Sequence, residues 1–223
     1  MDDRAGRREA IEKLMEYAVP EERLAEALDL LEIYRHDRLV LDLLHEFYSF
    51  LPEARRDWIR EIRLVARRQG VLLLAAMTGA GGYLYLVSSE GLDFQGLLAE
   101  GLWDPELLDF FGFADRDDCQ RLCGAAEELS IYAPIDGDLD VCPACHAASG
   151  ELHELGCPVE ICPWCGGQLI NCPCRFDKLE LDHLSSERDL VRFEEMLNEQ
   201  GRIPYSSEQR PSFADEGSGV ILD

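Results

Sequence analysis

The chain has 223 residues, 47% of them apolar and 30% charged, a balance that supports a buried core and excludes wholesale disorder. Its 45 acidic against 21 basic residues give a net charge of −24, which repels nucleic-acid phosphates and anionic lipid and favours either plain solubility or a protein partner with a basic surface. Met1-Asp2-Asp3 lacks the basic start and apolar run of a secretory signal, so the expected compartment is the cytoplasm, where clustered cysteines read as metal ligands or redox groups before disulfides.

Residues 1–70 read as helices. Leu24, Leu28 and Leu31 recur at helical spacing, as do Leu39, Leu43, Phe47 and Phe50, with breaks at Pro20 and Pro52. A fourth helix is expected over 53–68, with Trp58, Ile62 and Val65 on one face and Arg56, Arg60, Arg63 and Arg67 on another. In so acidic a chain, that stripe pairs with the protein's own carboxylates before it meets a nucleic acid. The apolar run Val71–Val87 reaches the minimum length of a membrane span, about 17 residues. The Gly79-Ala80-Gly81-Gly82 cluster inside it instead predicts a β-hairpin over 71–88 and no membrane crossing.

Further on, Asp104 and Pro105 form a helix start, with Leu107, Leu108, Phe110 and Phe111 as core. A helix over 115–129 carries Cys119 and Cys123 one turn apart, where they read as small core residues before they read as metal ligands. Asp136-Gly137-Asp138 marks a boundary. The predicted fold is α+β and mainly helical: a helical domain with one hairpin (1–138), a zinc-ribbon-like module (139–182), a last helix capped by Ser186 with Leu190, Phe193 and Leu197 on its apolar face (183–200), and a flexible tail (201–223). No internal repeat at a fixed period is expected.

The cysteine-rich unit carries the chemistry. Its candidate ligands are Cys142, Cys145, His153, Cys157, Cys162, Cys165, Cys172 and Cys174, with His146 as an alternative to His153. Two residues between paired cysteines let a tight turn aim both sulfurs at one ion. The Cys142/Cys145 and Cys162/Cys165 pairs have the separation of a four-thiolate zinc site. If pairs alternate along the chain, His153 and Cys157 join Cys172 and Cys174 on a second ion, giving an interleaved two-zinc module; the alternative is one zinc with spare thiols. A structural zinc contributes about 10–16 kcal/mol, enough to offset the thin apolar set of a short unit. Cys162-Pro-Trp-Cys165 resembles the dithiol of thioredoxin-like proteins, but Gly166-Gly167 and Cys172-Pro-Cys174 follow where that motif needs a helix.

The run from His153 through Cys157 and Cys162-Pro-Trp-Cys165-Gly-Gly-Gln, preceded by Cys142-Pro-Ala-Cys145, resembles a zinc-ribbon-like module of uncharacterised bacterial proteins. Gly201-Arg-Ile-Pro-Tyr205 is similar to a short segment that tends to follow that module. The resemblance covers residues 141–205. It implies metal binding and a bacterial origin, and no activity.

From Val141 to Arg175 there are three acids and one base, so direct nucleic-acid binding through this module is not expected. No nucleophile elbow, phosphate loop or dinucleotide fingerprint is present, and His45-Glu46 lacks the second metalloprotease histidine, with Ser49 in its place. The reading is a non-enzymatic acidic adaptor or regulator. The alternatives are a DNA mimic that inhibits a basic nucleic-acid-binding partner, and a thiol redox or metal-dependent enzyme.

Overall fold

Apolar residues run almost unbroken through 71–77 because the strand they form is covered on both faces. The computed structural model describes residues 4–50, 57–136 and 139–209. Its chain divides into two units, Met1–Leu139 and Asp140–Asp223. In the first, strands β1 (Glu61–Arg68), β2 (Val71–Met77), β3 (Gly82–Ser88) and β4 (Gly91–Leu97) form an antiparallel meander. A short β5 (Ser130–Ile131) pairs with β1, giving the order β4-β3-β2-β1-β5.

Period-two alternation sorts the strand side chains between two cores. Leu72, Leu74, Ala76, Tyr85 and Val87 pack with helices α1 (Arg4–Ala18), α2 (Leu24–Ile33) and α3 (Arg38–Phe50), through residues such as Ile11, Met15, Leu31, Leu43 and Leu44. Leu73, Ala75 and Leu84 pack on the other face with Leu98, Leu102 and residues of α4 (Pro105–Phe111) and α5 (Arg116–Gly124). The predicted hairpin is present as β2 and β3, but it belongs to a larger sheet. Asp57 pins its turn, accepting from the backbone N–H of Gly79 at 3.0 Å and Ala80 at 3.2 Å. Among the described residues no helix is long and apolar enough to cross a membrane.

The predicted fourth helix is corrected: its second half is β1. Period-two alternation explains the misreading: Trp58 and Ile62 face the α1–α3 core, while Val65, three residues on, faces the α4–α5 side, beside a β-bulge between Leu64 and Ala66. Spacings of four and three thus mimic a helical face that does not exist. Arg56 and Pro52 lie outside the described residues. Arg63 and Arg60 of the expected stripe are engaged within the fold. Arg63 donates to the carbonyls of Ala126, Glu127 and Leu129, each at 2.9 Å, and pairs with Glu61 at 2.7 Å. Arg68 donates to the Phe110 carbonyl, and Arg60 lies 4.7 Å from the Trp58 ring.

Asp104 caps α4 as expected, accepting from the Glu106 N–H at 2.8 Å. Asp115 caps α5, which ends at Gly124, short of the predicted Leu129. Cys119 and Cys123 are buried in the core on α5, with their sulfurs 4.0 Å apart.

In the second unit, regular structure is sparse: α6 (Cys174–Leu179) and α7 (Glu187–Gln200). The expected cap of α7 is a full capping box. Ser186 Oγ accepts from the Asp189 N–H at 3.2 Å, and the Asp189 carboxylate accepts from the Ser186 N–H at 3.0 Å. Phe193 and Leu197 are buried, but Leu190 is exposed. Part of the predicted tail, within the described residues 201–209, packs against the second unit. Tyr205 is buried, and its backbone exchanges hydrogen bonds with Gly150 and Glu151 at 2.9 and 2.8 Å.

Candidate metal centres

The two C-P-x-C turns fold alike, as a repeat of twenty residues. Val141 bridges Ala148 as Ile161 bridges Gln168. The Cys142 N–H donates to Ala147 O at 2.8 Å and that of Cys162 to Gly167 O at 2.7 Å; the N–H groups of His146 and Gly166 return to Cys142 O and Cys162 O, both at 2.9 Å. The expectation of no fixed-period repeat is thereby corrected. The fifth residue of each turn has positive φ, 73° at Gly166 and 60° at His146. Glycine adopts that backbone freely, whereas for histidine it costs about 1 kcal/mol or more. His146 is exposed and belongs to neither ligand cluster, so it does not replace His153. His146→Gly is expected to raise the stability of the metal-loaded protein by about 0.5–1 kcal/mol, read from its thermal unfolding.

Each turn collects its own partners. Cys142, Cys145, His153 and Cys157 form one cluster and Cys162, Cys165, Cys172 and Cys174 the other, with ligand atoms all within 4.8 Å of one another in each. All eight predicted ligands are therefore placed, but the interleaved pairing is corrected: the two C-P-x-C turns share no ion. The reason is local closure. Each turn reaches ligands within the next fifteen residues, over shorter loops than the interleaved scheme requires. Neither His45 nor the α5 cysteines enter a cluster.

Two distances in the first cluster are those of a tetrahedral site. Four thiolates about 2.3 Å from one zinc ion lie about 3.8 Å apart, and a thiolate–imidazole pair about 3.5 Å apart. Cys142 Sγ and Cys157 Sγ are 3.7 Å apart, and Cys145 Sγ and His153 Nδ1 3.4 Å. A disulfide needs about 2.05 Å, and all nine cysteines are free.

The first cluster is fully buried and tied down from outside. His153 Nε2 bonds Gln209 Oε1 at 2.8 Å, while the Gln209 amide donates to Pro204 O at 2.9 Å. That bond places the ring proton on Nε2 and leaves the Nδ1 lone pair for an ion. The Tyr205 ring packs edge-on to His153 with centroids 5.5 Å apart. Arg202 donates to His153 O at 2.6 Å and pairs with Glu160 at 2.8 Å; both side chains are buried. Burial and the Arg202 charge hold the His153 pKa below its ordinary value, against the opposing Gln209 bond, so the imidazole is neutral and able to ligate. Arg202, Gln209 and Glu160 carry no motif in the sequence. The only pointer to them is the segment Gly201–Tyr205, noted by resemblance.

In the second cluster Cys162 and Cys172 are buried, Cys174 is half-buried at the start of α6, and Cys165 is exposed. Arg175 donates to the carbonyls of Leu169, at 2.9 Å, and Ile170. A hydrogen bond from the Gly167 N–H, and then one with Cys162, hold the Cys165 thiol below its ordinary pKa. The Cys165 contact pushes Cys174 up to about 12, burial pushes Cys157 up to about 12, and burial also raises Cys172. Without an ion these three thiols keep their protons at neutral pH. A cation must displace them, so affinity rises with pH below those values, by about tenfold per unit for each proton displaced. Loading the reduced apoprotein with metal in weak buffer is expected to release at least these three protons per chain, measurable with a pH indicator.

No family model matches the chain, and no curated protein or solved structure is significantly similar to it.

Proposed function

We propose that the protein is a zinc-binding, non-enzymatic acidic adaptor or regulator whose second unit is built around two structural zinc ions. The observation that carries this reading is the pair of four-residue clusters, one of three cysteines and a histidine and the other of four cysteines, each with ligand atoms within 4.8 Å of one another and the first with spacings that match tetrahedral zinc. Such soft sulfur and nitrogen donors select zinc over hard cations. Four protein ligands also fill a tetrahedral shell, leaving no position for a water or substrate, which favours a structural over a catalytic role.

Charge supports the choice of partner. Acidic excess is spread over both units: 15 basic against 29 acidic residues give −14 for residues 1–139, and 6 against 16 give −10 for residues 140–223. Such a surface favours a partner protein with a basic face and disfavours direct nucleic-acid contact. Of the arginines expected to form a basic stripe, Arg63 is engaged with backbone carbonyls and Arg60 with the Trp58 ring.

The test is affinity capture with zinc-loaded protein, washed in steps of rising salt, beside a Cys142→Ser, Cys162→Ser chain. A reproducible basic partner that is lost as salt rises and is not captured by the variant supports the adaptor reading. Capture of nucleic acid itself, or turnover that depends on the bound metal, would overturn it.

A further inference from the structure

We propose that Cys165 is a peroxide-reactive modification site, and that its oxidation joins it to Cys174 and releases the ion from the second cluster while the first stays loaded. This rests on the two-zinc reading above. Of the eight cluster residues, seven are buried or half-buried and only Cys165 is exposed. All four ligands of the first cluster are buried, and the Gly201–Gln209 segment is fastened beside it by the Arg202, Tyr205 and Gln209 contacts. A metal-bound cysteine is held as a thiolate, the reactive form, so solvent access decides which sulfur reacts first.

The resolving group is also in place. Cys162, Cys172 and Cys174 all have sulfurs within 4.8 Å of Cys165, and Cys174 is the one of the three that is not buried. In the first step the Cys165 sulfur attacks one oxygen of hydrogen peroxide. The O–O bond breaks, hydroxide leaves and takes up a proton, and Cys165 becomes a sulfenic acid. In the second, the Cys174 thiolate attacks that sulfur; the S–S bond forms, the S–O bond breaks, and the departing hydroxide takes up a proton. Two thiolates, one peroxide and two protons give one disulfide and two waters, the sulfurs losing the two electrons that the peroxide gains. Two thiolates remain, too few to retain the ion.

Release is transmitted to the fold. Cys162 and Cys172 are part of the small core that holds Leu169, Leu179, Phe193 and Leu197, and Cys174 begins α6. Trp164 in the same turn lies against Phe193, with ring centroids 6.3 Å apart, so it reports the loosening.

The experiment treats the zinc-loaded full chain with limiting hydrogen peroxide. Released zinc is followed with a chromogenic chelator, and disulfides are located by differential alkylation and mass spectrometry. The expected result is loss of one of the two ions, a Cys165–Cys174 disulfide as the first product, and recovery of the ion after reduction with added zinc. Cys165→His, which keeps a nitrogen ligand for the second ion but has no thiol to oxidise, is expected to slow release by about tenfold or more. Parallel loss of both ions, a first disulfide within Cys142, Cys145 and Cys157 or between Cys119 and Cys123, or an unchanged rate in Cys165→His would overturn the proposal. A chain carrying fewer than two zinc ions before oxidation contradicts the two-zinc reading instead, and the disulfide map still decides whether Cys165 reacts first.

Discussion

Stripping the zinc-loaded protein with a strong chelator under reducing conditions is expected to unfold the second unit and leave the first intact. The two small cores of the second unit are the reason. One comprises Cys142, Cys145, Ala147, Cys157, Val159 and Tyr205; the other has Cys162, Leu169, Cys172, Leu179, Phe193 and Leu197 at its centre. Nearly half of these side chains are ligands, so the apolar burial that remains is far below what a unit of this size needs. Each structural zinc contributes about 10–16 kcal/mol at neutral pH, which matches or exceeds the whole stability of an ordinary domain. The first unit, by contrast, has a sheet covered on both faces and contains neither cluster. Amide hydrogen exchange distinguishes the two: protection in α6, α7 and both C-P-x-C turns is expected to vanish on chelation, while β1–β3 and α3 keep theirs. Undiminished protection in α6 and α7 after complete removal of metal would contradict this.

Arg202→Met is expected to destabilise the metal-loaded second unit by about 3–5 kcal/mol, because it strands the buried Glu160 carboxylate. Glu160 is 1% exposed, and its Oε1 accepts from Arg202 Nε at 2.8 Å and lies 2.8 Å from Arg202 Nη2 in the same ion pair. Burial already holds the Glu160 pKa above its ordinary value, and Arg202 acts against that rise. The pair is costly to desolvate, so its loss as a pair differs from the loss of one partner. The double variant Glu160→Met, Arg202→Met is expected to recover most of the stability, since apolar groups of similar size need no counter-charge. Denaturant unfolding of wild type, both single variants and the double variant gives the coupling. A single-variant cost below about 1 kcal/mol, as for an exposed pair, would show that this bond does not fasten Arg202 beside the first cluster.

What the sequence discloses follows the range of the interaction. Asp104 and Ser186 are helix caps whose partners lie two or three residues away, and both are legible. The candidate ligands are legible because closely spaced cysteine pairs, with a histidine between them, are a metal-ligand pattern. Their division between ions is not. The C-P-x-C spacing suits a shared site, and the competing signal, Val141-Cys-Pro-Ala-Cys145 repeated at Ile161-Cys-Pro-Trp-Cys165, is disguised by His146 standing where the second copy has Gly166. β1 is hidden because both its faces are apolar: Ile62 and Val65 lie on opposite sides of the strand, yet their spacing is that of one helical face. Glu160–Arg202 and His153–Gln209 join residues 42 and 56 apart; no local pattern marks such bonds, and they appear only once the fold has brought the segments together.

Native mass spectrometry of the reduced, purified chain measures the metal stoichiometry directly. Two zinc ions per chain are predicted, falling to one in Cys142→Ser and to one in Cys162→Ser, because each turn serves its own site. A wild-type chain that takes up no zinc, or one ion lost equally through either substitution, would contradict two separate centres.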